Sequence, residues 1–266
     1  MSRRDEINKS WGEKRYLTEE ENYELFILEY GPPLRGIRPD GAYANSYRDK
    51  VPDYLIRLWL EYGWGGWKRG GFWICDPALL QPLLDTVFDG DPDYNPKEMT
   101  PFAYNAFGKL YMWLGNTPVQ GNYRTLEIDW LDNSACEYSH YSDWNKYAHV
   151  PVSASQNIMN MLEFEIIDIG EREDFALWWD RDDKDMLPQA IDRLGELSYG
   201  EVYGFVPALG LGGPNLVTSL QRLPILEYLT FLWQIQHPML ELYTLPKENE
   251  TGYGTITEIR PIGRPE

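Results

Sequence analysis

The sequence predicts an α+β fold, a mainly antiparallel sheet with helices packed beside it. Three observations predict it. Several segments repeat apolar residues at i, i+3, i+4 and i+7, the spacing that buries one face of a helix. Residues 102–131 instead carry the period-two alternation of strands. Hydrophobic residues make up 43% of 266 and aromatics 15%, enough for a packed core. That length permits one large domain or two smaller ones.

Residues 1–16 are polar and mixed in charge, and read as a tail. Thr18 then starts a helix, with Glu21 completing a capping box and Tyr23, Phe26, Ile27 and Tyr30 at helical spacing. Gly31-Pro-Pro33 stops it, and a loop with Gly36, Pro39 and Gly41 follows. Pro52 suits the first turn of a helix whose Leu55, Leu58, Trp59 and Tyr62 share a face. Gly63-Trp-Gly-Gly-Trp67 breaks that helix, and Gly71–Cys75 reads as a short strand. Asp76 caps the next helix, with Pro77 in its first turn and Leu79, Leu80, Leu83, Leu84 and Val87 inside. In Asp89–Asn95, acids at alternate positions imitate a calcium loop, but its sixth and twelfth positions are Tyr94 and Thr100 instead of Gly and Glu. It reads as a solvated turn.

Leu110, Met112 and Leu114 alternate with Tyr111 and Trp113, so both faces are apolar and the strand is central. Tyr123–Leu131 reads as its neighbour. Ser139, His140 and Asp143 supply the residue types of a catalytic triad, but near neighbours in sequence cannot fill its separate positions, and no G-x-S-x-G exists. His149 and His237 stand alone, which argues against a histidine metal site. Ser155–Leu162 is a short helix candidate. Leu187, Ala190, Ile191 and Leu194 make a helix ending at Gly195. Leu216–Gln236 reads as a long apolar helix interrupted by Pro224, and the chain beyond residue 245 as a flexible tail.

Two stretches stand out. Residues 194–213 hold six glycines among large apolar residues, with Pro207 in the middle. They lack the spacing of phosphate-binding loops and read as a buried structural turn. Residues 163–185 hold ten acids against three bases, with Phe175, Leu177, Trp178 and Trp179 embedded. This suits either a protein interface with aromatic anchors or a solvated acidic loop over buried aromatics.

The formal net charge is −18. Such a surface repels nucleic acid and anionic membranes and attracts basic partners, although acidity also serves solubility alone. Cys75 and Cys136 are far apart, so neither a disulfide framework nor a zinc cluster is implied. The N-terminal residues lack the apolar run of a secretory signal, and no segment reaches membrane-spanning length. The expectation is a cytoplasmic protein.

Residues 52–67, Gly71–Ile74, Pro77–Leu84 and Phe107–Trp113 resemble the GAD-like domain. Trp179–Asp183 and Ala190–Gly213, with Tyr203-Gly-Phe-Val-Pro-Ala-Leu-Gly-Leu-Gly-Gly213, resemble the domain that commonly follows it. The pair resembles immunity proteins of bacterial type VI secretion systems, whose best-known members neutralise a DNase effector. The likeness runs from about Leu17 to Leu240 and is weakest between Asp132 and Ala154. It implies two subdomains: a GAD-like domain over 17–170 and an immunity-type domain over 171–245, between tails at 1–16 and 246–266. It also implies a non-enzymatic inhibitor that pairs with a cognate toxin effector, a nuclease, as a heterodimer and occludes its active site or DNA-binding cleft. No catalytic residue, cofactor or metal is carried over, and neither nucleic acid nor membrane is a partner. Partner contact is placed on Trp178, Trp179, Asp180, Asp182, Asp183 and Asp185. The alternatives are a hydrolase using paired carboxylates and a regulatory module for a small ligand or RNA, with RNA disfavoured by charge.

Overall fold

Local signals place most helices where they form. The computed structural model describes residues 2–12, 18–116, 123–140, 158–159, 161–163, 165–166, 169, 176–244 and 255–263. Its first helix is a correction: α1 (Arg3–Gly12) lies in the segment read as a tail. A mostly polar helix shows no apolar stripe. This one is held by buried Ile7 and by ion pairs from Arg3 to Glu24 (2.8 Å) and Arg4 to Glu29 (2.7 Å). Helix α2 (Glu19–Tyr30) starts with the expected box: Glu21 N–H donates to Thr18 Oγ1 at 3.2 Å and Thr18 N–H to Glu21 Oε2 at 2.9 Å. The loop expected around Gly36 and Gly41 contains β1 (Leu34–Ile37) and α3 (Gly41–Asn45). Pro52 is the N-cap of α4 (Asp53–Tyr62), and Asp76 caps α5 (Pro77–Val87) by accepting from Ala78 N–H at 2.9 Å. Helices α6 (Met186–Leu194) and α7 (Ile225–Trp233) follow much later.

The remaining strands are β2 (Trp64–Trp67), β3 (Phe72–Ile74), β4 (Thr100–Asn105), β5 (Leu110–Asn116), β6 (Tyr123–Asp129), β7 (Ser134–His140), β8 (Glu201–Phe205), β9 (Leu220–Pro224), β10 (Met239–Thr244) and β11 (Thr255–Pro261). Nine of the eleven form one sheet in the order β1-β2-β3-β4-β5-β6-β7-β10-β11, antiparallel except where β10 runs parallel to β7. The fold is α+β, with the apolar strand β5 inside the sheet, as its two-faced pattern requires. Trp73 stacks on Tyr104 with centroids 6.2 Å apart, and Trp59, Trp130 and Tyr111 are fully buried.

Three further expectations are corrected. Trp64–Trp67, read as a break, is β2, because its two glycines let β1 and the Trp73 ring come close. Residues 216–224, read as the start of a long helix, form a 3₁₀ turn and β9. Pro224 ends the pairing with β8 and caps α7 instead of kinking it. Residues 255–261, read as part of a flexible tail, form the edge strand β11. The cause is remote in sequence. Arg260 grips Asp91 through two hydrogen bonds (2.7 and 3.0 Å) and also pairs with Asp93 (2.7 Å), while Gly263 N–H donates to Asp91 at 2.7 Å. Most of the Asp89–Asn95 turn is exposed, as expected, but the Asp91 side chain is fully buried and clasps Arg260. Burial raises the Asp91 carboxyl, but Arg260 and the N–H donors of Asp93 and Gly263 bring it below its ordinary value.

The glycine-rich stretch fastens the later part of the chain to this sheet. Gly200 N–H donates to Tyr104 OH at 2.8 Å, Asp76 N–H to Tyr199 OH at 2.8 Å and Tyr203 N–H to the Ala106 carbonyl at 2.8 Å. At the sheet margin, Arg35 and Arg69 both pair with Glu196, at 2.9 and 3.0 Å. One side of the β8–β9 ribbon is therefore committed to the large sheet, and α7 lies against the ribbon.

Candidate functional site

Six of the ten acids in 163–185 fall among the described residues, and most of them point inward. Glu163 is half-buried and accepts from Tyr30 OH. Glu165 is buried and accepts from Tyr111 OH at 2.5 Å. Asp180 is buried under its own loop: Oδ1 accepts from Asp182 N–H (2.8 Å) and Lys184 N–H (3.0 Å), and Oδ2 from Gln189 Nε2 (3.1 Å). Burial raises its carboxyl, yet these donors hold it below the ordinary value. Asp185 caps α6 through Leu187 N–H at 3.0 Å, and burial pushes its carboxyl up. Asp182 and Asp183 are exposed, but so are Arg181 and Lys184 between and beside them. The outward face of the turn thus carries two acids and two bases, and the sequence count overstates its surface charge. Phe175 and four acids of the stretch (Asp168, Glu171, Glu173 and Asp174) lie outside the described residues, as does Asp143.

The two tryptophans divide in the same way. Trp178 is half-buried and donates its Nε1–H to Asn215 Oδ1 at 2.9 Å, whereas Trp179 is 38% exposed. Asn215 also donates Nδ2–H to the Trp179 carbonyl at 3.0 Å, and its own carbonyl accepts from Arg181 N–H at 3.2 Å. Asn215, two residues beyond the glycine-rich segment, therefore stitches the chain that follows it to the acidic turn.

Beside this stitch lies a feature that sequence reasoning missed. Residues 205–208, Leu211, β9 and α7 enclose a cavity of about 290 Å³. Its walls are apolar, with Val206, Leu211 and Phe231 exposed at its rim by 44, 58 and 41%. The Tyr228 hydroxyl belongs to the wall, where it accepts from Phe205 N–H at 3.0 Å. Glu227 is exposed and is the charged residue of the lining. It stands one turn before Phe231 on α7, so the two share a face. The rim exists because a 3₁₀ turn, Leu209–Leu211, lifts Leu211 outward. A Cβ on Gly213 would collide with the Pro207 carbonyl, so only glycine lets the turn close this tightly. The available signal was the mixing of Val, Phe and Leu with Pro and Gly. Read alone, that mixture marks a turn and does not say that three side chains stay outside.

Other chemistry is sparse. Glu127 pairs with Lys109 at 2.6 Å. Burial lowers the Lys109 ammonium, but Glu127 and Glu165 hold it above its ordinary value. These two buried carboxylates thus brace a lysine, unlike the paired acids of a hydrolase, which must exchange protons with substrate. Ser139 and His140 lie on β7. Among the described residues, no cluster of three or more His, Cys, Asp or Glu is placed to hold a metal ion, and no helix is long and apolar enough to cross a membrane. Cys75 and Cys136 are unbridged.

Residues 21–127 match the family model of the GAD-like domain, and residues 168–236 match that of the T6SS immunity protein Tdi1, C-terminal. The chain has the domain architecture of a type VI secretion immunity protein. Both the acidic turn and the apolar cavity lie inside the Tdi1-type segment. The fold is similar to a solved structure, "Crystal structure of Atu4351 from Agrobacterium tumefaciens", with a TM-score of 0.70 and 22% identity, covering 92% of this chain and 99% of that one. No curated protein gives a significant match.

Proposed function

We propose that this immunity protein is a non-enzymatic, cytoplasmic inhibitor of a cognate type VI effector. The effector is a DNase, held in a one-to-one complex that covers its active site or DNA-binding cleft. The observation that carries the reading is the Tdi1-type match over 168–236, the segment that holds both an exposed tryptophan and an open apolar cavity. Charge supports the choice of target. A DNase must offer DNA a basic surface, and a chain of net charge −18 is drawn to the same surface. Trp179, Asp182 and Asp183 are the contacts of the acidic turn, while Trp178, Asp180 and Asp185 hold its shape.

The test is co-expression with the toxin gene encoded beside this one. Protected growth, a copurifying complex and intact plasmid DNA are the expected results. Neither rescue nor complex would end the reading. Protection of cells whose DNA the toxin never cuts would remove the DNase assignment but keep the immunity role. Occlusion further predicts that DNA and the immunity protein compete for a catalytically inactive toxin.

A further inference from the structure

The apolar cavity gathers three of the exposed large hydrophobic side chains around one opening, whereas others such as Leu34, Ile256 and Ile259 lie elsewhere on the surface. Three rim residues, Val206, Leu211 and Phe231, are 41–58% exposed around one concavity, and Glu227 stands beside Phe231. Scattered surface hydrophobics need no explanation, but a concave cluster of them with one fixed charge has the form of an anchor pocket. We propose that this pocket receives one aromatic or long aliphatic side chain of the effector, from a segment that also carries a Lys or Arg paired with Glu227. The proposal rests on the immunity reading and gives it a central contact.

Size and charge select this occupant. About 290 Å³ holds a single large side chain with some of its neighbourhood. A second copy of this chain is the main competitor. Twofold pairing on this face would bring Glu227 toward its own mate between two bodies of net charge −18 each, with no basic residue in the lining to offset it. A basic partner meets the same face with attraction. Gly213 packs on the Pro207 carbonyl of the pocket loop, and Asn215, two residues on, holds the Trp179 backbone, so the turn with exposed Trp179, Asp182 and Asp183 is tied to that loop and offers the same partner further contacts. The arrangement is an apolar centre with a charged rim.

The experiment uses the full chain and the catalytically inactive toxin encoded next to it. Affinity is measured for wild type, Val206→Ser/Leu211→Ser, Glu227→Lys and a remote control, Leu28→Ser, whose residue is 47% exposed on α2. All four positions are at least partly open to solvent, so melting temperatures should stay close to wild type. The expected result is a Kd raised about tenfold to thirtyfold by the double variant, mainly through faster dissociation. Glu227→Lys should raise it about threefold to tenfold, and the control should not change it. If wild type binds and the pocket variants bind equally well, the pocket proposal falls while the immunity reading stands. If wild type neither binds nor protects, the immunity reading falls first. If sedimentation shows a wild-type dimer that the double variant abolishes while toxin affinity holds, the occupant is a second copy and the proposal is overturned.

Discussion

The acidic turn and the apolar pocket are neighbours, yet they relate to their sequences in opposite ways. The turn advertises charge and then spends most of it internally: Asp180 and Asp185 organise backbone, and the exposed remainder is balanced by Arg181 and Lys184. The pocket stretch advertises a buried turn and leaves three large apolar side chains outside. The difference teaches that residue type states what a side chain can do, while the loop geometry around it decides whether a partner can reach it. Short carboxylates readily bond nearby N–H groups, so acids in tight loops are drawn inward. Apolar residues on a loop whose backbone is pinned by glycine contacts cannot follow the core inward.

The largest effect should come from breaking that pinned loop. In Gly213→Ala the new methyl meets the carbonyl of Pro207 and that of Ala208, and both are backbone groups that cannot move aside cheaply. A loss of roughly 3 kcal/mol is expected in denaturant unfolding. The neighbouring Gly212→Ala has open space around it, and its φ of 80° costs only about 1 kcal/mol. Equal losses at the two positions would remove the close-approach argument. Gly210→Ala should fall between the two, since its nearest neighbour is the end of the Gln236 side chain and not backbone, but that amide donates to the Trp130 carbonyl.

Asn215→Ala should come next, because it removes both side-chain bonds that join the two surfaces. About 2 kcal/mol is expected in denaturant unfolding, together with faster hydrogen exchange at the Arg181 amide, which donates to the Asn215 carbonyl. Unchanged exchange there would mean that the turn and the pocket are positioned independently. Within the turn, Asp180→Ala should lower the melting temperature well beyond Asp182→Ala, since only Asp180 accepts from Lys184, Asp182 and Gln189. The sign in pH follows from the depressed Asp180 carboxyl. Its stabilisation is complete above the unfolded value, about 4, and is lost as pH falls through the lower folded value. The Asp185 carboxyl is raised, so its contribution runs the other way and masks the trend in wild type. The difference in melting temperature between wild type and Asp180→Ala should therefore shrink below pH 4, and a constant gap would discard Asp180 as the ionised centre of the loop.

What could be read in advance was local. The Thr18–Glu21 box, the Asp76 cap and the stops at Gly31, Gly63 and Gly195 each depend on a few adjacent residues. What escaped depends on distant ones. Residues 255–261 become β11 because Arg260 meets Asp91, 169 positions earlier. Residues 220–224 become β9 because β8 lies beside them. A chain pattern rich in Leu suits a helix or a strand equally well, and pairing decided between them. Of the six residues placed at the candidate interface, the structure brings all into one turn but leaves Trp179, Asp182 and Asp183 exposed. Burial cannot be counted from acids and bases alone.

The smallest expected effect tests what remains of the turn's charge. Replacing Asp182 and Asp183 by Lys changes the local charge by four units without touching the Asp180 bonds, which use the backbone of Asp182 and not its side chain. If the turn flanks the bound toxin, association should slow about threefold to tenfold at low salt. The deficit should shrink as ionic strength shortens the screening length to about 8 Å at 0.15 M. Dissociation should change little, in contrast to the pocket variants, whose effect lies in dissociation. The two surfaces then separate on kinetic grounds: the rim sets how fast the partner arrives and the pocket how long it stays. A salt-independent on-rate equal to wild type would take the acidic turn out of the interface and leave the pocket as the contact that matters.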